Sequence, residues 1–222
     1  VVHRPDQLQA TRAAAHRAAA MMSAAGGTLF VTSAVTDWDW GPRTEPTAQD
    51  WATVGSTLRI IDEIVDGYGM QQAVHPHLRT MIETRADIEA LLAVSDVGWT
   101  FDMGHMQIGG MDPLEFIDIA FDRIRHVHLK DVVMDSALPV LHHEQSIMEG
   151  VQAGMFCNLG TGDVPIAEIV RSLEQRGYDG WYVIEQDAAL TDGEPPLGEG
   201  PLLEVRASID FILGIDSTAS SR

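Results

Sequence analysis

Short apolar runs recur along this 222-residue chain, each separated from the next by a longer stretch of helical periodicity. That alternation restricts the fold more than any other feature. Residues 28–34 (TLFVTSA), 70–77, 98–102, 124–132, 155–159 and 181–185 are short, apolar and rich in β-branched or aromatic side chains, so each is expected as a buried strand. Helices are expected between them. One spans 7–25 and stops at Gly26-Gly27, and another spans 47–68, with Thr47 as its cap and Gly69 as its end. Others follow at 84–94, at 112–123 behind Asp112-Pro113, at 164–176 before Gly177, and at 202–213. Residues 136–154 read as a less regular insertion, 188–201 as a Gly/Pro/Glu-rich loop and 217–222 as a frayed tail.

Six strands, each followed by a helix or by a loop and helix, predict the α/β class: a parallel sheet covered by helices, in one domain over 1–222. No GxGxxG or GxxxxGK[ST] segment follows any strand, which removes the usual nucleotide signature of an open sheet. Polar residues gather instead at the C-terminal ends of successive strands, where a closed (β/α)8 barrel carries its chemistry.

Composition narrows the partners. The net charge of −19 repels phosphate backbones and anionic membranes, so neither nucleic acid nor a membrane surface is expected as a partner. The single cysteine, Cys157, cannot form an internal disulfide and fits a reducing cytoplasm, where it reads as a small buried apolar residue. No apolar run approaches the roughly 20 residues needed to span a bilayer, and the Ala-rich start reads as a helix rather than a signal peptide.

The histidines carry the chemical signal. His75 and His77 sit two apart on one expected strand, and His126, His128 and Lys130 repeat that spacing on another, so each set faces one side. Asp102 ends a third strand with His105 just beyond it, and Glu185 ends the last strand with Asp187 two residues on. Polar groups at interior barrel positions are costly unless they satisfy one another or a metal. Carboxylate oxygens and imidazole nitrogens without thiolates suit Mn²⁺, Co²⁺, Fe²⁺ or Zn²⁺ as a Lewis acid. Trp38 and Trp40 are equally compatible with rim packing and with a sugar-stacking wall. His142 and His143, inside the insertion, are expected to face solvent.

The segments AVHPHLRTMIET (73–84), FDMGHMQIGGMDP (101–113), IRHVHLKDV (124–132), NLGTGDV (158–164) and GYDGWYVIEQD (177–187) resemble the xylose isomerase-like barrel superfamily, in its inosose dehydratase branch. The resemblance implies a metal held by Glu, Asp, His and Glu from four strands. Asp102, His128 and Glu185 match three of these. The first Glu has no clean match; its strand position falls at His75, with His77 and Glu83 nearby. Glu185, His105, Lys130 and His77 are the implied catalytic residues, and Trp38, His75, His126 and Arg79 the implied substrate contacts. Arg79 departs from the branch, which more often has glycine there. The opening helix resembles the one after the family's second strand, so the chain is expected to lack the first one to two β-α units of the barrel and to be a fragment of it.

The resemblance further implies a cytoplasmic enzyme of inositol catabolism that acts on a small polyhydroxylated ketone with Mn²⁺ or Co²⁺, and it is compatible with a homo-oligomer. The expected reaction is dehydration of a keto-inositol through an enediolate. Ketose isomerisation or epimerisation at the same site is one alternative, and a sugar-binding or assembly module without activity is another. Endonuclease action is disfavoured by the acidity.

Overall fold

The structure, a computed structural model, describes residues 1–36, 44–191 and 193–215. It divides into two compact units, Val1–Phe101 with Asp122–His126, and Asp102–Phe121 with Val127–Arg222.

The first unit opens with α1 (Leu8–Ala24), whose buried Thr11, Ala15 and Ala19 repeat at helical spacing and form its inner stripe. Strand β1 (Leu29–Ser33) leads to α2 (Ala48–Asp66). The start of α2 is fixed reciprocally: Thr47 Oγ1 accepts the Asp50 N–H, and the Asp50 carboxylate accepts the Thr47 N–H at 2.8 Å. Its buried face runs through Trp51, Val54, Leu58, Ile61 and Val65. Strand β2 (Gln71–His75) lies parallel to β1 in the register Leu29↔Gln71 to Ser33↔His75. Helix α3 (Arg85–Val94) carries the same kind of cap, from Thr84 and Asp87. Strand β3 (Gly98–Asp102) is buried throughout and pairs parallel with β2. Trp99 and Phe101 are fully buried, each contributing about 1.5–3 kcal/mol by transfer from water. Strand β4 begins in this unit; there the Arg123 guanidinium donates to the carbonyls of Ser95 and Val97 and lies over the Trp99 ring.

The second unit holds α4 (Met103–Ile108) and α5 (Pro113–Ala120), and β4 (Ile124–Leu129) from Val127 onward. As expected, Asp112 caps α5, accepting the Leu114 N–H at 2.8 Å, with Pro113 in the first turn. Strand β5 (Asp131–Val132), α6 (Met134–Leu141), α7 (Ile147–Gln152) and β6 (Phe156–Cys157) follow. Next come α8 (Ile166–Gln175), β7 (Tyr182–Ile184) and α9 (Pro201–Ile215). Strand β7 is parallel to β4, with Val127↔Tyr182, His128↔Val183 and Leu129↔Ile184 in register. The strand order is β1-β2-β3-β4-β7, and β1–β2, β2–β3 and β4–β7 pair parallel, as the α/β reading required.

Three expectations need correction. The run 70–77 does not stay extended to its end: β2 stops at His75, because Pro76 has no N–H to give to a ladder, and His77 lies in the turn beyond. The run 124–132 is two strands. The run 155–159 contributes only Phe156–Cys157, which pairs antiparallel with β5 rather than joining the parallel sheet. One residue explains the last two. The carboxylate of Asp131, almost wholly buried, accepts the backbone N–H groups of Val132, Gly160, Gly162 and Val164 at 2.8–3.1 Å. It turns the chain out of β4 and ties it to the loop after β6. Gly162 is obligatory in that cradle, since a Cβ there would stand 2.4 Å from the Asp131 carboxylate.

Candidate metal centre

The polar cluster of the second unit starts with a helix cap. Asp102, at the junction of β3 and α4, accepts the His105 N–H through Oδ1 at 2.8 Å. That bond fixes the carboxylate and leaves Oδ2 facing His128 Nδ1 at 3.6 Å and Lys130 Nζ at 3.9 Å. Strand register supplies the rest. His128 and Lys130 are two apart at the end of β4 and face the same way. Glu185 follows β7 directly, its N–H bound to the Leu129 carbonyl, so the β4–β7 register brings it alongside Lys130. Glu185 Oε1 lies 2.9 Å from His128 Nδ1 and Oε2 lies 2.6 Å from Lys130 Nζ.

Lys130 is almost fully buried. Besides Glu185, its ammonium meets Asp187 Oδ2 at 2.8 Å and donates to His105 Nε2 at 3.2 Å, which makes that ring nitrogen an acceptor. The ammonium also sits 4.6 Å from the centre of the Phe156 ring, and His105 meets the same ring edge-on. Gly104 makes room for the lysine: a Cβ there would stand 2.7 Å from Lys130 Cγ.

Protonation follows from this packing. Burial opposes charge on Lys130, but the carboxylates of Asp102, Glu185 and Asp187 outweigh it and hold the ammonium above its ordinary range. Burial likewise opposes charge on His128, yet its contacts with Asp102 and Glu185 push it up to about 9. Burial favours neutral Glu185, but the His128 hydrogen bond and the Lys130 charge hold it down at about 2.

The donor set fits a divalent cation. One ligand atom each from Asp102, His128 and Glu185 lie within 4.8 Å of one another. Two donors each about 2.1 Å from one ion stand about 3 Å apart at a right angle and about 3.4 Å apart at a tetrahedral one, close to the 2.9 and 3.6 Å separations found here. Charge agrees. Three carboxylates and one ammonium leave two unbalanced negative charges when the imidazole is neutral, which one divalent ion cancels.

Of the residues expected from sequence, the fold brings Asp102, His105, His128, Lys130 and Glu185 together in this unit. His75, His77, Arg79 and His126 belong to the first unit. His75 is buried at the end of β2, its ring edge-on to His77. His77 donates from Nδ1 to the Leu78 carbonyl at 2.8 Å. Arg79 has φ of 62°, and its N–H is held by the Glu83 carboxylate. That left-handed backbone explains why glycine suits the position. His126 is half-buried on β4, and His142 and His143 are exposed as expected. Trp38 and Trp40 lie outside the described residues. The strand-end pattern gives neither Phe156 nor Asp131 a role. The NLGTGDV glycines were the available signal for Asp131; nothing local marked Phe156. Among the described residues no helix is long and apolar enough to cross a membrane.

The xylose isomerase-like TIM barrel family model matches residues 2–212. An inosose dehydratase of Lacticaseibacillus casei is 33% identical over 152 residues, 67% of this chain and 51% of that protein. One from Geobacillus thermodenitrificans is 32% identical over 151 residues, 66% of this chain and 51% of that protein. The chain thus spans about half the length of these curated relatives. Among solved structures, an L-ribulose 3-epimerase superposes with a TM-score of 0.70 at 17% identity, covering 100% of this chain and 75% of that one. A probable 3-DHS dehydratase, AsbF of Bacillus anthracis, does so at 0.67 and 18% identity, covering 90% and 68%. At such identities these two structures speak to the fold alone, and they agree with the family match: the chain belongs to the xylose isomerase-like TIM barrel family.

Proposed function

We propose that this chain carries the metal site of a lyase that dehydrates a keto-inositol. The observation that carries the reading is the His128 ring nitrogen lying 2.9 Å from Glu185 and 3.6 Å from Asp102, the spacing of donors around one ion. Asp102, His128 and Glu185 would hold the cation. The resemblance leaves the fourth donor open, with His75, His77 and Glu83 at or near its position in the sequence. Nitrogen and carboxylate donors suit Mn²⁺ or Co²⁺, with Zn²⁺ or Fe²⁺ as competitors. A cation bound there would supply Lewis acidity to the substrate's carbonyl oxygen and its neighbouring hydroxyl.

The chain's own groups account for the remaining steps. Dehydration breaks the C–H bond next to the ketone and then the adjacent C–OH bond; the proton goes to a base, and hydroxide leaves as water. The enediolate formed between these events is negative, and the Lys130 ammonium is placed to stabilise it. His105, whose Nε2 accepts from Lys130, is the group we assign to proton transfer. Phe156 covers one side of that pair and limits water there. The dehydratase reading takes precedence over isomerisation or epimerisation because the relatives at 32–33% identity are inosose dehydratases.

The test is metal analysis of the purified protein, followed by incubation of 2-keto-myo-inositol with Mn²⁺ or Co²⁺. The expected product is the cyclohexane dione, with one water lost per turnover. An isomeric ketose of unchanged mass would replace dehydration with epimerisation or isomerisation. Failure to bind any divalent ion would remove the metal site altogether.

A further inference from the structure

Lys130 presents a conflict that the site must resolve. Its ammonium pairs with Glu185 at 2.6 Å and approaches Asp102 at 3.9 Å, and both carboxylates are assigned above to a cation. An ammonium and a divalent ion compete for the same oxygens. Among the described residues, Asp187 is the carboxylate that pairs with Lys130 from outside that ligand set. Its side chain is 45% exposed, against 26% for Glu185 and 0% for Asp102, and it lines an open cleft of about 410 Å³ together with Phe156, Asn158 and Gln186. Phe156 beneath the ammonium and His105 beside it close other directions.

We propose that Asp187 is the positioning residue for Lys130: it holds the ammonium at the edge of the site, so that Glu185 remains available to a cation. The proposal rests on the metal reading above. Asp187 touches neither the cation nor the reacting atoms; it acts through the lysine. Without it, the anionic partners of Lys130 left among the described residues are the ligands themselves, and the lysine competes with the ion.

A double-mutant cycle on the purified chain separates this role from simple loss of negative charge. Mn²⁺ affinity is measured by calorimetry for the wild type, Asp187→Asn, Lys130→Met and the double variant. Asp187→Asn is expected to weaken Mn²⁺ binding about tenfold, the usual scale for a residue supporting a ligand. In the Lys130→Met background the same substitution is expected to change affinity less than twofold. Equal losses in both backgrounds would mean that Asp187 acts through space or as a ligand, and would overturn the proposal. Where Lys130→Met does not fold, salt dependence decides. A through-space effect from a half-exposed carboxylate fades between low and high ionic strength, whereas one transmitted through a buried lysine persists. Fading overturns the proposal; persistence supports it. No Mn²⁺ uptake by the wild type removes the metal reading and this proposal together, whereas uptake with parallel losses removes this proposal alone.

Discussion

The turn after β2 and the ends of β4 and β7 draw on the same residue types, histidine and carboxylate, but connect them differently. In the turn, His77 donates to the next residue's carbonyl, Glu83 accepts the Arg79 N–H, Thr80 Oγ1 donates to the His77 carbonyl, and Asp87 accepts the N–H groups of Glu83 and Thr84. Partners there are at most four residues apart, and each of these bonds ends on the backbone. In the second unit, Lys130 meets His105, Glu185 and Asp187, and His128 meets Asp102 and Glu185. These partners are tens of residues apart and are all side chains, most of them charged. Side chains spent on nearby backbone shape a turn. Charged side chains gathered from distant strands, at a cost in desolvation, are the ones left to serve chemistry.

The strongest way to break that contrast is at Asp102, which does both jobs: one oxygen caps α4 and the other faces the cluster. Asp102→Asn keeps an acceptor for the His105 N–H but loses the anionic ligand. Turnover of the ketoinositol in Mn²⁺ is expected to fall about 10³-fold, equivalent to about 4 kcal/mol of transition-state stabilisation, with the melting temperature little changed. Asp102→Ala should lose the same activity and a further ~1 kcal/mol of stability from the missing cap. Urea denaturation and steady-state kinetics on the pair check this, and an Asn variant within tenfold of wild type would erase the distinction between cap and ligand.

A smaller effect is expected from Gly104→Ala. The new methyl would stand 2.7 Å from Lys130 Cγ and 2.9 Å from the Lys130 carbonyl oxygen, so the lysine stem or β4 must shift. Overpacking of this kind costs about 1–3 kcal/mol. Because the stem carries the ammonium, Mn²⁺ affinity and turnover should drop along with stability. Denaturation that shows the loss while metal affinity stays at the wild-type value would mean that Lys130 is not part of the centre.

Much of this was legible in the sequence, for a physical reason. Strand and helix periods are local, and the strand ends at Asp102, His128 and Glu185 fall where short apolar runs meet polar residues. The parallel register of β4 and β7 then makes neighbours of residues that the sequence could only rank as strand ends. What escaped the reading was set by distant contacts. The run 124–132 looks continuous, yet the Asp131 carboxylate is captured by loop N–H groups about thirty residues on, and the chain leaves the parallel sheet there. Phe156 lies under Lys130 only because that capture draws β6 against β5. The spacing of His75 and His77 suggests one strand, but Pro76, which has no N–H for a ladder, is the local signal that the strand stops before His77.

The subtlest test lies on the other side of the contrast, at Arg79. Its φ of 62° places a residue with a Cβ in the left-handed region, which costs an L-residue roughly 1–2 kcal/mol. Arg79→Gly removes that cost and adds about 0.5–1 kcal/mol of chain entropy to the unfolded state. The net expectation from the backbone is a gain of about 0.5 kcal/mol in urea denaturation, with the contact from the position-79 N–H to Glu83 kept, since glycine has the same N–H. Kinetics then decide whether the side chain has a second use. An unchanged KM for the ketoinositol leaves Arg79 as a turn residue and the contrast intact. A raised KM with unchanged kcat would make its guanidinium a substrate contact, and the turn after β2 would no longer be purely architectural.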